Sequence, residues 1–134
     1  MLRVENLSFS YARKELFSEL DLDIAPGLYG LLGKNGAGKS TLLKLVSGQL
    51  FPAKGSCTTM GVEASRRLPE MLSEIYYLPE EFDLPAITGL QYINVYAPFY
   101  PRFSSEFFMK CASEFDIDPA EKLSSMSFGQ KKKF

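Results

Sequence analysis

Hydrophobic and polar residues alternate along two stretches near the start of the chain, over residues 2–9 and 16–24. In the second stretch, leucines and an isoleucine at even positions stand against Glu19, Asp21 and Asp23. A period of two belongs to a strand with one buried face and one solvated face. The pattern therefore predicts two half-buried antiparallel strands.

A different pattern follows in the sequence PGLYGLLG, residues 26–33, which is apolar without a polar face. Such a run is typical of a strand that is covered on both sides, as in a parallel sheet. Residues 39–48 then carry leucine and valine at helical spacing and end at Gly48, with Pro52 beyond, as helices often end. We therefore expect a buried strand, a glycine-rich loop and a helix in succession.

Five short elements are predicted in the rest of the chain. They are a strand over 56–62 that breaks at Gly61, a helical turn that starts near Pro69, a strand over 75–78 that Pro79 ends, a helix over 89–96 and a helix over 104–115. Thr88 is a suitable N-cap for the helix over 89–96. The layout is that of an α/β protein with a β-rich first half and a helical second half.

Composition and charge argue against several classes of function. The 134 residues carry 15 basic and 16 acidic side chains, a formal charge of -1, so no overall field favours nucleic acid or an anionic membrane. The lysines at 131–133 fan out around a helix, so no nucleic-acid partner is expected. Histidine is absent, and Cys57 and Cys111 lie far apart, which predicts free thiols rather than a zinc site. No apolar run approaches the roughly 18–20 residues of a spanning helix, and we expect a cytoplasmic protein.

The strongest chemical signal is GKNGAGKS, residues 33–40, which matches the phosphate-binding loop pattern G-x-x-x-x-G-K-[ST]. Its inner glycines allow positive φ angles, so consecutive N–H groups can converge on a polyphosphate. Lys39 supplies a charge for the β and γ phosphates, Ser40 a hydroxyl for Mg²⁺, and Thr41 a donor for the α phosphate. The predicted nucleotide-binding residues are Gly33, Lys34, Asn35, Gly36, Ala37, Gly38, Lys39, Ser40 and Thr41.

This motif predicts a nucleoside triphosphate site but not a reaction, because kinases, GTPases, recombinases and transport ATPases share it. The extended loop LLGKNGAGKSTLLKLVSG, the segment YLPEEF over 77–82 and the segment MSFGQ over 126–130 narrow the choice. They resemble the Walker A segment, the Q-loop and the LSGGQ signature of the ATP-binding-cassette (ABC) ATPases. The resemblance covers essentially the whole chain. It implies a P-loop NTPase fold of ABC type, with an antiparallel β subdomain, a parallel core strand with the loop helix, and a helical subdomain.

The resemblance implies ATP and Mg²⁺ as ligands and a role for two residues outside the loop. Tyr11 falls where the family places an aromatic side chain that stacks on adenine; the alternative is an edge-strand tyrosine that packs on its own sheet. Glu80 stands where most members have glutamine. It is a candidate Mg²⁺ ligand beside Ser40 and the single catalytic candidate; the alternative is a solvated loop glutamate.

The signature segment departs from the family pattern at Met126 and Phe128. In the family this turn approaches the γ phosphate bound to the other subunit of a head-to-tail dimer, a role that the resemblance implies for Ser127, Phe128, Gly129 and Gln130. Phe128 replaces a glycine, so we expect it to exclude positive φ and to add bulk beside the ligand. The alternative is a plain helix cap.

Nine aromatic residues between positions 82 and 115 predict the core of a small helical subdomain, with Phe107, Phe108 and Phe115 on one helical face. A subset, Phe82 and residues 92–100, is predicted to line a groove for a short helix from a partner. In the resembled family that partner is a cytoplasmic loop of a membrane permease, which holds the ATPase at the inner face of the membrane.

The resemblance implies one incomplete nucleotide-binding domain, with a β-rich core over 1–79 and the Q-loop region and helical subdomain over 80–134. The family's Walker B strand and switch histidine have no counterpart here, so we expect the N-terminal part of a longer ATPase, without the C-terminal part of the core and without turnover. In the intact protein, ATP hydrolysis is expected to drive transport through the permease. Alternatives are a soluble ABC protein acting on ribosomes or DNA, a small-molecule P-loop kinase, and a nucleotide-binding fragment.

Overall fold

A computed structural model describes residues 1–12 and 14–134 of the chain. Two compact units are present, Met1–Leu78 and Pro79–Phe134. The first unit contains the sheet and the glycine-rich loop, and the second is mainly helical. None of the helices in the described ranges has both the length and the apolarity that a membrane crossing requires.

Within the described residues, four strands form the sheet of the first unit in the order β2-β1-β3-β4, with antiparallel neighbours throughout. They are β1 (Leu2–Tyr11), β2 (Lys14–Ile24), β3 (Lys54–Thr59) and β4 (Val62–Glu63). Two helices accompany them, α1 (Lys39–Val46) and α2 (Pro69–Leu72). The predicted antiparallel strands, loop helix and helical turn at Pro69 are confirmed, and Gly48 follows α1 with a φ of 72°. The strand predicted over 56–62 is divided between β3 and β4.

A shift in register at Asn6 decides which side chains of β1 are buried. Val4, Leu7 and Phe9 all lie in the core, with at most 8% of their surface exposed. An unbroken strand places residues three apart on opposite faces, yet Val4 and Leu7 share one. Pairing with β2 shifts between these two residues, and Asn6 there has a φ of 46°. The bulge keeps one face of β1 apolar, and helix α1 adds Leu45 to the same core.

Two predicted strands are wrong. Residues 26–33 and 75–78 form no strand in the structure, and Leu28 and Leu32 of the first segment are almost fully exposed. An apolar run indicates a preference for burial, but a strand also requires a neighbouring strand with which to exchange backbone hydrogen bonds. In the described part of the chain, no strand pairs with either segment. The antiparallel sheet is therefore confirmed, and the parallel core strand is not.

The second unit contains three α-helices, α3 (Gly89–Tyr96), α4 (Ser105–Glu114) and α5 (Phe128–Lys133). The first two agree with the helices predicted over 89–96 and 104–115, and α5 begins within the signature segment. Thr88 caps α3 in a reciprocal pair: its hydroxyl accepts from the Gln91 backbone N–H at 3.2 Å, and its own N–H donates to the Gln91 side chain at 2.9 Å. Ser104 likewise accepts from the backbone N–H of Phe107 at 3.1 Å. Local sequence thus determines where these helices begin.

The aromatic residues of the second unit are only partly a core. Tyr92 and Phe108 pack against the buried cluster that contains Leu123, but Phe107 and Phe99 are both 67% exposed. Neighbouring residues on a helix diverge by about 100°, so Phe107 and Phe108 cannot both face inward. The prediction that Phe107 shares a buried face with Phe108 is wrong for that reason.

We expect the two cysteines to differ in reactivity, since Cys57 is buried in the first unit and Cys111 is partly exposed. Burial raises the pKa of the Cys57 thiol above its ordinary value of 9.0, and a hydrogen bond with the Thr59 side chain offsets part of that shift. The neutral thiol therefore contributes stability that is complete below pH 9.0 and is lost as pH rises through the raised pKa. Iodoacetamide at pH 8 should label Cys111 and leave Cys57 unmodified until the chain unfolds.

Between pH 8 and pH 10.5 the unfolding free energy should fall more for the wild type than for Cys57→Ala. If the unfolding free energies of the two proteins fell equally over this pH range, a raised pKa of the Cys57 thiol would be contradicted.

Candidate functional site

The glycine-rich loop leads into α1 through two residues with left-handed backbone angles. Gly36 has a φ of 81°, and Gly38, the N-cap of α1, has a φ of 97°. A Cβ on Gly38 would lie 2.7 Å from Cζ of Phe17 and 3.2 Å from Cδ2 of Leu16. Glycine at position 38 therefore meets two requirements at once, a positive φ and a close approach to β2.

Lys39 lies at the centre of this loop. Its ammonium group donates to the carbonyl oxygen of Gly33 at 2.8 Å and to that of Lys34 at 3.0 Å. The backbone N–H of Ala37 donates to the same Lys34 carbonyl at 3.1 Å. The loop is thus closed around one positive charge, which lies beside the first turn of α1.

Several backbone donors around this charge have no partner in the part of the chain that the structure describes. Among residues 1–12 and 14–134, none accepts a hydrogen bond from the backbone N–H groups of Gly36, Gly38, Lys39 or Ser40. No side chain caps α1, and its first turn contains no acidic residue. Free N–H groups at the positive end of a helix dipole, next to an ammonium group, favour an anion. The loop residues therefore fit a polyphosphate.

Ser40 is exposed at the start of α1, and its hydroxyl makes no hydrogen bond to any other described residue. It is available to a hard cation such as Mg²⁺, which takes oxygen ligands and keeps several waters. No group of three histidine, cysteine, aspartate or glutamate side chains that could hold a metal occurs in the described ranges. Ser40 as a Mg²⁺ ligand stays a prediction that depends on the nucleotide.

Tyr11 lies beside this helix start. Its phenol oxygen is 3.4 Å from the hydroxyl oxygen of Thr41, and its ring meets the ring of Phe9 edge-on, with centroids 4.9 Å apart. Thr41 is buried, whereas 49% of Tyr11 is exposed. The structure thus places Tyr11 next to the loop and also packs it on its own strand. Stacking on adenine stays a prediction.

Glu80 and the signature segment belong to the second unit, away in sequence from the loop. Glu80 lies in an exposed bend after Pro79. Its proposed contact with Mg²⁺ and its catalytic role stay predictions.

The signature segment forms a well-defined helix start. Ser127 is the N-cap of α5: its hydroxyl accepts from the backbone N–H of Gln130 at 3.2 Å, and its own N–H donates to the Gln130 side chain at 2.8 Å. Phe128 is the first residue of the helix and is not among the residues with positive φ, so the expected backbone conflict does not arise. Its ring is 60% exposed and lies 4.7 Å from the ammonium of Lys132. A Cβ on Gly129 would meet only the hydroxyl oxygen of Ser127, at 4.0 Å, which is an ordinary contact.

Replacing Ser127 with alanine should destabilise the second unit by about 1 kcal/mol, because the backbone N–H of Gln130 loses its cap. Ser124→Ala is the matched control, since Ser124 is an exposed turn residue that makes no hydrogen bond to any described residue. Urea unfolding monitored by circular dichroism measures both. Equal midpoints for the two variants would show that the cap contributes nothing.

Sequence reasoning did not identify the contacts of Phe17 with Gly38 or of Tyr11 with Thr41. The residues of the first pair are 21 positions apart in the sequence, and those of the second pair are 30 apart. Phe17 follows Leu16 and interrupts the alternation of β2, which was the only signal of an unusual position. A single sequence shows local patterns, whereas such pairs depend on how the chain folds back.

Comparison with known proteins agrees with this geometry. A sequence model of the family described as "ABC transporter" matches residues 17–134. The ABC transporter ATP-binding protein YtrB of Bacillus subtilis (strain 168) is 28% identical over 134 residues, which are 98% of this chain and 46% of YtrB. The chain therefore spans about half the length of this relative.

Two solved structures show the same fold. An ATP-binding subunit of an ABC transporter superposes with a TM-score of 0.84 at 24% identity, over 99% of this chain and 58% of that one. A dimeric ATP-binding cassette in a post-hydrolysis state, bound to ADP and Pi, superposes with a TM-score of 0.75 at 19% identity. The match covers 99% of this chain and 66% of that one. The fold and the family match together show that this chain belongs to the ABC transporter family.

Proposed function

We propose that residues 33–41 bind the phosphates of Mg-ATP, and that in the intact protein ATP hydrolysis drives transport through a membrane permease. The observation that carries the proposal is the start of α1, where free backbone N–H groups follow two left-handed glycines around the ammonium group of Lys39. Residues 1–79 form the nucleotide-binding core in this account, and residues 80–134 contain the Q-loop region and helical subdomain.

Lys39, Ser40 and Tyr11 each have a proposed role that their positions support. Lys39 exchanges its two carbonyl partners, Gly33 and Lys34, for β- and γ-phosphate oxygens, which form stronger charge-assisted bonds. Ser40 contributes its exposed hydroxyl to Mg²⁺. Tyr11 stacks on adenine through the exposed half of its ring.

A second copy of the ATPase is the proposed partner for the signature segment, in a head-to-tail dimer. The hydroxyl of Ser127 accepts from Gln130, so its own proton is free to donate to the γ phosphate of the facing subunit. Phe128, Gly129 and Gln130 form the rest of this surface. The related cassette solved as a dimer with ADP and Pi supports the arrangement.

A permease is the proposed second partner. Phe82 and residues 92–100 would receive a short helix from it, and Val95, Tyr96 and Phe99 of this region are 55%, 43% and 67% exposed. Exposed aromatic side chains are common anchors at protein interfaces. Docking there would hold the protein at the cytoplasmic face of the membrane, consistent with the transporter relative YtrB.

We do not expect residues 1–134 alone to sustain hydrolysis. The sequence contains no histidine, and the described ranges hold no cluster of metal-ligating side chains. Glu80 is then the only carboxylate proposed near the metal. Phosphoryl transfer depends on positioned charges around the γ phosphate and on an oriented water, and this chain supplies too few of them.

Isothermal titration of the purified chain with Mg-ATP, paired with a phosphate-release assay, tests the proposal. We expect saturable one-site binding in the micromolar to millimolar range and no sustained phosphate release. Absence of binding at millimolar Mg-ATP would overturn the nucleotide site, and steady turnover would overturn the incomplete catalytic set.

A further inference from the structure

We infer that Tyr11 is a positioning residue of the phosphate-binding loop, whose phenol O–H donates to the Thr41 hydroxyl and so directs the Thr41 proton toward bound phosphate. The inference rests on the proposed nucleotide site and adds to the adenine contact of Tyr11. It starts from the 3.4 Å separation of the two hydroxyl oxygens, in which either oxygen can be the donor while no anion is bound.

The direction of the bond follows from the chemistry of a bound phosphate. A hydroxyl has one proton to donate and two lone pairs that accept, whereas a phosphate oxygen only accepts. Thr41 lies in the first turn of α1, next to the free backbone donors of Lys39 and Ser40. If Thr41 donates its proton to phosphate, Tyr11 must be the donor in the pair, and one Thr41 lone pair is then occupied.

Without the phenol, the Thr41 hydroxyl has a competing partner. Threonine in a helix can turn its hydroxyl back to a carbonyl three or four residues earlier, here Gly38 or Ala37. Thr41 is only 8% exposed, so water does not readily replace Tyr11 as its partner. Loss of the phenol would therefore let the Thr41 proton turn away from the ligand.

The ring of Tyr11 is held at two points, which suits a positioning role. Its edge-on contact with Phe9 fixes the ring from the strand side, with 4.9 Å between centroids, and the phenol oxygen reaches Thr41 at the other end. About half of the residue is still exposed, so a base can stack on it while the hydroxyl stays engaged. The two roles are separable, because stacking needs the ring and positioning needs the oxygen.

Inorganic tripolyphosphate separates the two roles, since it has phosphates but no base. We expect Tyr11→Phe to weaken binding of both Mg-ATP and Mg-tripolyphosphate about threefold to tenfold, as measured by calorimetric titration. Thr41→Val should have a similar or larger effect, and adding Tyr11→Phe to it should change the affinity less than twofold. Thr41→Ser, which keeps the hydroxyl, should retain more of the affinity than Thr41→Val does. Tyr29→Phe is the control, because the exposed Tyr29 precedes the same loop.

The outcomes separate this inference from the proposed function. If the wild type binds both ligands and Tyr11→Phe binds tripolyphosphate equally well, Tyr11 acts through its ring alone and the inference is overturned. Additive losses in the double variant would overturn it as well, because they would show that the two hydroxyls act independently. If the wild type binds neither ligand, the nucleotide site itself is wrong and the inference falls with it.

Discussion

Replacing Lys39 with methionine should lower the affinity of the chain for Mg-ATP by about tenfold to a hundredfold and leave its thermal stability nearly unchanged. The ammonium group of Lys39 lies inside the loop, beside the free N–H groups at the start of α1. A hydrogen bond to a charged group contributes about 1.5–3 kcal/mol, which corresponds to that loss of affinity. Stability should persist because the two carbonyls that Lys39 contacts lie in the exposed loop, where water can replace the ammonium. Methionine keeps the apolar stem of the side chain.

Lys44→Met is the matched control, since Lys44 occupies the last turn of the same helix. It removes an equal charge from the other end of α1, so any long-range effect of net charge appears in both variants. Calorimetric titration and a thermal melt of each variant are sufficient. Equal affinities for the two variants would show that Lys39 does not contact the phosphates.

Replacing Gly55 with alanine should destabilise the first unit by about 2–5 kcal/mol or more, a large fraction of the stability of a typical domain. Gly55 has a φ of 76°, and a Cβ there would stand 2.3 Å from the carbonyl oxygen of Asn6 and 2.4 Å from that of Glu5. Backbone atoms at the centre of a sheet cannot move aside as a flexible side chain can. The left-handed angle contributes about 1–2 kcal/mol and the overlap about 1–3 kcal/mol or more.

Gly61 provides the control for this variant because its φ is 82° but nothing lies within 4 Å of the position of a Cβ. Gly61→Ala should lower the unfolding free energy only by the cost of the left-handed backbone angle, about 1–2 kcal/mol. Urea unfolding of the two variants therefore separates conformational strain from steric overlap, provided that the slope with denaturant is unchanged. Similar losses for both would mean that β1 and β3 do not approach each other as closely as described.

The elements that the sequence predicted well are those determined by neighbouring residues. The start of α3 follows from Thr88 and Gln91, which bond each other within a single turn. The glycine-rich loop is likewise a continuous motif, and its positive φ angles fall at Gly36 and Gly38, where a polyphosphate loop needs them. In these cases the sequence contains both partners of the interaction within a few positions.

What the sequence did not show depends on distant partners. Residues 26–33 are as apolar as a buried strand, but they lack a neighbouring strand among the described residues, and Leu28 and Leu32 are exposed instead. The bulge at Asn6 leaves a trace in the sequence, since the apolar positions move from 2 and 4 to 7 and 9, but the pairing with β2 that fixes it depends on a distant strand. The contact of Tyr11 with Thr41 joins residues 30 positions apart, which no local pattern indicates.

The most direct test of the central claim, that residues 33–41 form the ATP-binding site, is to follow the backbone amide resonances of the chain by NMR during titration with Mg-ATP. We predict that the largest shift changes fall on the amides of Gly36, Gly38, Lys39, Ser40 and Thr41. Residues of α4 in the second unit serve as the internal reference and should change little. Shifts confined to residues outside 33–41, or no shifts at millimolar Mg-ATP, would contradict the account.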